Sequence, residues 1–224
     1  MNEKIQISDL TIDNYTAKDA MQHVLEYMNT ESLNVVQMIT FETLERLADD
    51  EELQKQVSEF DITFAGDKAI LEAAGIQDAR RLHDAEPLLF VKLVLRFLHK
   101  NQMRVFLLAQ DEEDLQGMYE YLAEEYAGIQ IVGRANIEEH GISDDMILNM
   151  VNSVEADSIL SVLPSPIQER FVIRNKQLLH AKIWIGLGNW FHKMKQEHSV
   201  FGKIKKSIAK WILKKEMKKK EENA

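Results

Sequence analysis

Apolar residues recur along the chain in two alternating rhythms. Compact apolar runs at 34–40, 61–65, 103–109, 129–133, 158–163 and 182–187 read as strands. The run at 103–109 is unbroken, the pattern of a strand buried on both faces. Between the runs, apolar residues fall at helical spacing over 42–60, with Leu44, Leu47 and Leu53 on one stripe, and again over 88–100, 111–126 and 143–154. Thr16 is placed to cap a helix running through Met28, and Gly75 to close a short one over 68–74. Residues 5–12 read as short β structure and 77–87 as polar and irregular. Strands alternating with helices predict an α/β class: a Rossmann-like layered fold with a mostly parallel sheet.

The stretch 156–188 is the most informative, because its two apolar runs flank a helix at 168–179 with Phe171, Val172, Leu178 and Leu179 on one stripe. Two buried strands joined by a helix predict a βαβ crossover, with both strands parallel. The loop after the first strand, Pro164-Ser165-Pro166-Ile167-Gln168-Glu169, then opens at the carboxyl edge of the sheet, where open α/β folds bind ligands. Pro166 pre-sets a turn, and Gln168 and Glu169 fall in the first turn of the helix. That turn suits a phosphate or polar substrate; the plainer reading is a helix start whose dipole Glu169 complements.

Charge divides the chain. The net charge is −10, yet residues 193–224 carry eleven lysines against four glutamates, which leaves −17 on residues 1–192. An acidic body of this kind argues against a nucleic-acid binder. The tail places Phe201, Ile204, Ile208, Trp211 and Ile212 on one helical stripe among lysines. It reads either as a basic amphipathic helix lying on an anionic membrane surface or as a helix docked on the acidic body. The expected organisation is therefore one α/β domain over 1–192 and a membrane-associating tail over 193–224. No cysteine is available for disulfides or thiolate chemistry, and the N-terminal residues lack the apolar run of a signal peptide. The histidines are scattered without ligand spacing and Asp144-Asp145 reads as a dipole complement, so neither a tightly bound metal nor a cofactor is expected. No nucleotide-hydrolase loop or hydrolase elbow is present.

The segment SVLPSPIQERFVIRNKQLLHAKIWIGLG resembles the G-x-G-x-P-K-Q-E-x-W…N…IGVGG segment of the WecG/TagA/CpsF family of bacterial glycosyltransferases. Pro166, Gln168, Glu169, Asn175, Gly186 and Gly188 stay in register with it. Ile12, Asp13, Thr16 and Ala20 resemble its N-terminal pattern, and the resemblance reaches Gly188. It implies an enzyme moving an N-acetylhexosamine, such as N-acetylmannosamine, from a UDP-sugar to an undecaprenyl-diphosphate-linked sugar in cell-envelope polysaccharide or teichoic acid synthesis. It also implies a cytoplasmic location on the inner face of the cell membrane, and self-association.

Transferred onto this chain, the resemblance makes Asp67 the general base that takes the acceptor proton. Thr40, Arg81, Pro166, Gln168, Glu169, Gly186 and Gly188 become the substrate-binding set. The ligand-facing loops depart from the family pattern. Its T-P-N is Thr40-Phe41-Glu42 here, its P-D-G-x-G loop aligns Gly66 with the aspartate and leaves Asp67 one residue late, and its G-x-F-D is Asn189-Trp190-Phe191-His192. Each candidate therefore carries a structural alternative: Thr40 and Asp67 as helix caps, Arg81 as a partner of a surface acid. The alternative for the whole chain is a non-catalytic relative that partners or regulates envelope polysaccharide assembly; a third is a nucleotide binder unrelated to glycans.

Overall fold

A computed structural model describes residues 4–7, 9–85, 87–139 and 141–188. Its strands are β1 (Lys4–Ile7), β2 (Leu10–Asp13), β3 (Asn34–Ile39), β4 (Ile62–Ala65), β5 (Arg104–Ala109), β6 (Gln130–Asn136), β7 (Ser158–Ser161) and β8 (Ile183–Gly186). They form one sheet in the order β1-β2-β4-β3-β8-β7-β5-β6, parallel throughout except for the β1–β2 hairpin. The helices are α1 (Ala17–Tyr27), α2 (Phe41–Leu47), α3 (Glu51–Val57), α4 (Lys68–Ala73), α5 (Ala79–Asp84), α6 (Pro87–Lys100), α7 (Glu112–Glu125), α8 (Asp144–Ser153) and α9 (Ile167–Asn175). The predicted α/β layered class is what the chain adopts, with β7, α9 and β8 forming the expected parallel crossover. The last strand, β8, is inserted between β3 and β7, so three parallel strand ends stand side by side at the centre of the sheet.

Alternation along the strands sorts the core onto two faces. Val35, Ile39, Phe106, Leu108, Ile159 and Trp184 join one cluster with Leu53 and Val57 of α3, Ile147 and Val151 of α8, and Phe171 and Val172 of α9. Trp184 stacks on Phe171 with ring centroids 5.6 Å apart. On the other face Phe64 meets Phe90 of α6 edge to face at 5.0 Å. Gln37 shares the strand parity of Val35 and Ile39, and so points to the α9 side.

The residues that carry the N-terminal resemblance do structural work. Ile12 and Ala20 are fully buried, and Thr16 and Asp19 form a reciprocal capping box at the start of α1. Asp13 accepts from Thr63 N–H at 3.0 Å and meets Lys4 at 2.6 Å. Asn175, also in register with the family pattern, is buried and donates both to the Phe171 carbonyl and to Asp144 of α8.

Three expectations are corrected. The helix expected over 42–60 is broken into α2 and α3, because Asp50 leaves helical geometry and caps the second piece by accepting from Leu53 N–H at 3.0 Å. The 77–87 stretch contains α5, where Asp78 accepts from Arg81 N–H and Leu82 packs on the core. Leu178 does not share the buried stripe of α9: the helix tightens into a 3₁₀ turn at Lys176–Leu178, which rotates Leu178 out to 54% exposure. No helix among the described residues is long and apolar enough to cross a membrane.

Candidate functional site

At the carboxyl edge, the ends of β3, β8 and β7 release the chain into Thr40, Leu187-Gly188 and Leu163-Pro164-Ser165. These residues, with Gln37, Gln168 and Glu169, line a small cavity of about 30 Å³. Thr40 caps α2, its hydroxyl accepting from Thr43 N–H at 3.0 Å and meeting the Thr43 hydroxyl at 3.0 Å. Pro166 is the first residue of the α9 boundary, and no side chain caps that helix. Gly188 adopts φ +49°, a backbone that side chains disfavour.

Beneath the cavity lies a buried polar network. Gln168 Nε2 donates to Gln37 Oε1 at 2.7 Å, and Gln37 Nε2 donates to Glu169 Oε1 at 3.2 Å. All three side chains are at most 3% exposed. Gly186 makes the network possible, since a Cβ there would stand 2.5 Å from both Gln168 Nε2 and Gln37 Oε1. Burial pushes the Glu169 carboxyl above its ordinary range, and its own N–H and the nearby Ser165 hydroxyl pull only partly the other way. Ser165 Oγ lies close enough to influence that carboxyl, yet neither it nor Glu169 Oε2 reaches hydrogen-bond geometry with a protein partner. Gln168 Oε1 is likewise buried without a protein partner. Three orphaned polar atoms in one corner are costly in a closed interior and suit a site built for a polar ligand. Glu169 does sit in the first turn of α9, and there it is a buried acid within a polar network.

Asp67 sits next to this site and holds it together. Its Oδ1 accepts from Ile70 N–H at 3.1 Å, capping α4, and its Oδ2 accepts from Phe41 N–H at 2.8 Å, capping α2 beside Thr40. The backbone explains why the carboxylate falls at 67. A Cβ at Gly66 would lie 3.0 Å from Met38 Cβ, 3.1 Å from the Ile39 carbonyl and 3.2 Å from Thr40 Cγ2, so the previous position is crowded. Asp67 does not itself line the cavity, whereas Glu42 does. Arg81 stands apart, donating to the Asn14 carbonyl at 2.8 Å beyond the end of β2. The structure therefore gathers Thr40, Gln168, Glu169, Gly186 and Gly188, borders them with Pro166 and Asp67, and leaves Arg81 outside. The tail residues Phe201, Ile204, Ile208, Trp211 and Ile212 lie outside the described residues.

The sequence reading missed Gln37, Thr43 and Ser165. For Gln37 a signal existed: an amide in the middle of the buried strand NVVQMI needs a partner. A second, larger cavity of about 990 Å³ lies at the opposite, amino edge. Its lysines and its arginine are matched, Lys176 with Asp61 at 2.6 Å, Lys182 with Asp157 at 3.2 Å, and Arg104 with the Val154 and Glu155 carbonyls. The smaller cavity is the better functional candidate, because unpartnered polar atoms converge there and its edge is the ligand-binding edge of open α/β sheets. Among the described residues no cluster of three or more acidic or histidine side chains is placed to hold a metal ion.

The family model of the glycosyl transferase WecG/TagA/CpsF family matches residues 5–207 of the chain. The chain belongs to the WecG/TagA/CpsF glycosyltransferase family. Its match runs past Gly188 and into the basic tail. A search among curated proteins finds no match.

Proposed function

We propose that this member of the WecG/TagA/CpsF family transfers an N-acetylhexosamine from a UDP-sugar to an undecaprenyl-diphosphate-linked sugar, in envelope polysaccharide or teichoic acid synthesis. The observation that carries the reading is the convergence of Thr40, Gln168, Glu169 and Gly188 on one carboxyl-edge cavity with orphaned polar atoms, within a chain of this family. Gln168 and Thr40 contact the donor sugar. Asp67 is the general base, half-buried at the rim, with lone pairs left on both oxygens after capping two helices. The basic tail brings the site to the inner face of the cell membrane, where the acceptor lies, through its Trp211 stripe and its lysines.

A second reading of the base is Glu42, which lines the cavity while Asp67 does not. It stands where the family pattern has an asparagine. The rival for the whole chain is a non-catalytic relative, favoured by the double capping engagement of Asp67. Calorimetric titration of the full-length protein with UDP-N-acetylhexosamines decides between them at the first step. Saturable binding that Gln168→Ala abolishes supports a working donor site. A well-folded protein, with anionic vesicles present, that binds no UDP-sugar at millimolar concentration sinks the catalytic reading.

A further inference from the structure

The Gln168 carboxamide has two chemically opposite ends, an N–H₂ that donates and a carbonyl that accepts, and only one can meet a ligand. Its orientation is decided two residues away. Gln37 Nε2 faces Glu169 Oε1 at 3.2 Å and, more distantly, the Met38 carbonyl at 3.5 Å. A carboxylate or carbonyl oxygen of Glu169 accepts, and it is the nearer partner; the Met38 carbonyl accepts too but, at 3.5 Å, is too distant to hold the amide by itself. Gln37 must therefore turn its nitrogen to that side and its oxygen to Gln168. That oxygen receives Gln168 Nε2 at 2.7 Å, which commits the Gln168 nitrogen and leaves Oε1 over. Oε1 is the buried Gln168 atom without a protein partner, in a side chain that lines the cavity. Gly186 leaves the room this arrangement needs, because any side chain there would strike both glutamine heads.

We propose that Gln37 and Glu169 are positioning residues that set the polarity of the Gln168 amide, so that the site presents a carbonyl oxygen to a hydrogen-bond donor such as a sugar hydroxyl or an acetamido N–H. The ligand part of this inference rests on the reading of the cavity as the sugar-donor site. Burial of Glu169 serves the relay in a second way. A raised carboxyl still offers Gln37 an acceptor oxygen when neutral, and its proton then has the Ser165 hydroxyl nearby. The Gln168 carbonyl is thereby selected without any group touching it.

The relay is tested in the full-length protein with Glu169→Gln and Glu169→Leu. A glutamine at 169 can still show a carbonyl to Gln37; a leucine cannot. UDP-N-acetylhexosamine binding is expected to weaken about tenfold or more in Glu169→Leu and to stay within about threefold of wild type in Glu169→Gln. A general loss of packing would not be rescued in this way. Equal affinity in Glu169→Leu and wild type, or equal weakness in both variants, overturns the proposal; if Glu169→Leu fails to unfold cooperatively, retention in Glu169→Gln is the deciding result. Side-chain amide hydrogen exchange provides a readout that needs no ligand. Wild-type Gln37 and Gln168 amide protons should exchange slowly, with the Gln37 pair accelerated in Glu169→Leu. Freely exchanging wild-type amides overturn the relay even if UDP-sugars bind. Protected amides in a protein that binds no UDP-sugar sustain the relay and instead remove the donor-site reading.

Discussion

Replacing Asp67 by asparagine separates capping from catalysis, because the two roles respond on different scales. In the wild type both carboxylate oxygens accept a backbone N–H, from Ile70 at 3.1 Å and Phe41 at 2.8 Å. Asparagine keeps one accepting oxygen, so the α4 cap survives, but its N–H₂ turns a donor toward the Phe41 N–H. One charge-assisted hydrogen bond is lost, and the expected destabilisation is about 1–2 kcal/mol. For a chain of this size that lowers the melting temperature by about 2–8 °C. The fold should survive, and assays well below the transition compare folded proteins. If Asp67 takes the acceptor proton, kcat falls by about 10²- to 10⁴-fold. The assay is transfer of labelled sugar to a lipid-diphosphate acceptor, with Glu42→Gln run alongside. Turnover within about threefold of wild type, accompanied by the expected fall in melting temperature, would refute Asp67 as base and leave it a double cap. A large loss in Glu42→Gln alone would move the role to Glu42.

Gly186→Ala should abolish UDP-sugar binding and destabilise the fold by about 1–3 kcal/mol, since the new methyl group meets two buried amides; calorimetry and thermal unfolding check both, and unaltered binding would mean the network is dispensable. Glu169 gives a pH signature of defined sign: its folded-state pKa lies above the unfolded one, so the folded state binds the extra proton between them. Wild-type stability should therefore fall as pH rises from the ordinary glutamate range, about 4.3, up through the raised folded value, while Glu169→Gln lacks that slope. Denaturant titrations across pH measure the difference, and identical slopes would count against a buried, shifted carboxyl. Replacing Ile208 and Trp211 together by serine should release the protein from anionic vesicles in flotation assays, as should raised salt for the wild type; binding unchanged in both would exclude the tail as the anchor.

What the sequence made legible follows from how local each cause is. β7, α9 and β8 are readable because Pro164, the apolar runs and the helical spacing of Phe171 and Val172 all act within a few residues. The capping role of Thr16 is equally local, as is the glycine at 75 with φ +79°. The break between α2 and α3 was hidden because the leucine spacing continues across it, while the Asp50 cap competes with the helix from within. The site was half legible. The loop residues Gln168 and Glu169 stand out by resemblance, but their partner Gln37 is more than 130 residues earlier in the chain, and only the insertion of β8 beside β3 brings them together. The second cap of Asp67 also depends on a tertiary contact, between the β4–α4 loop and the start of α2.

The central claim is that the carboxyl-edge cavity transfers a sugar. Its most direct test is the time course of labelled N-acetylhexosamine moving from a UDP-sugar to an undecaprenyl-diphosphate-linked sugar, with the full-length protein on anionic vesicles and Gln168→Ala as control. The account predicts product that accumulates with time and enzyme and is lost in Gln168→Ala. No product across the UDP-N-acetylhexosamines, from protein that folds cooperatively and binds the vesicles, would contradict it and leave a family member that has kept the scaffold without the chemistry.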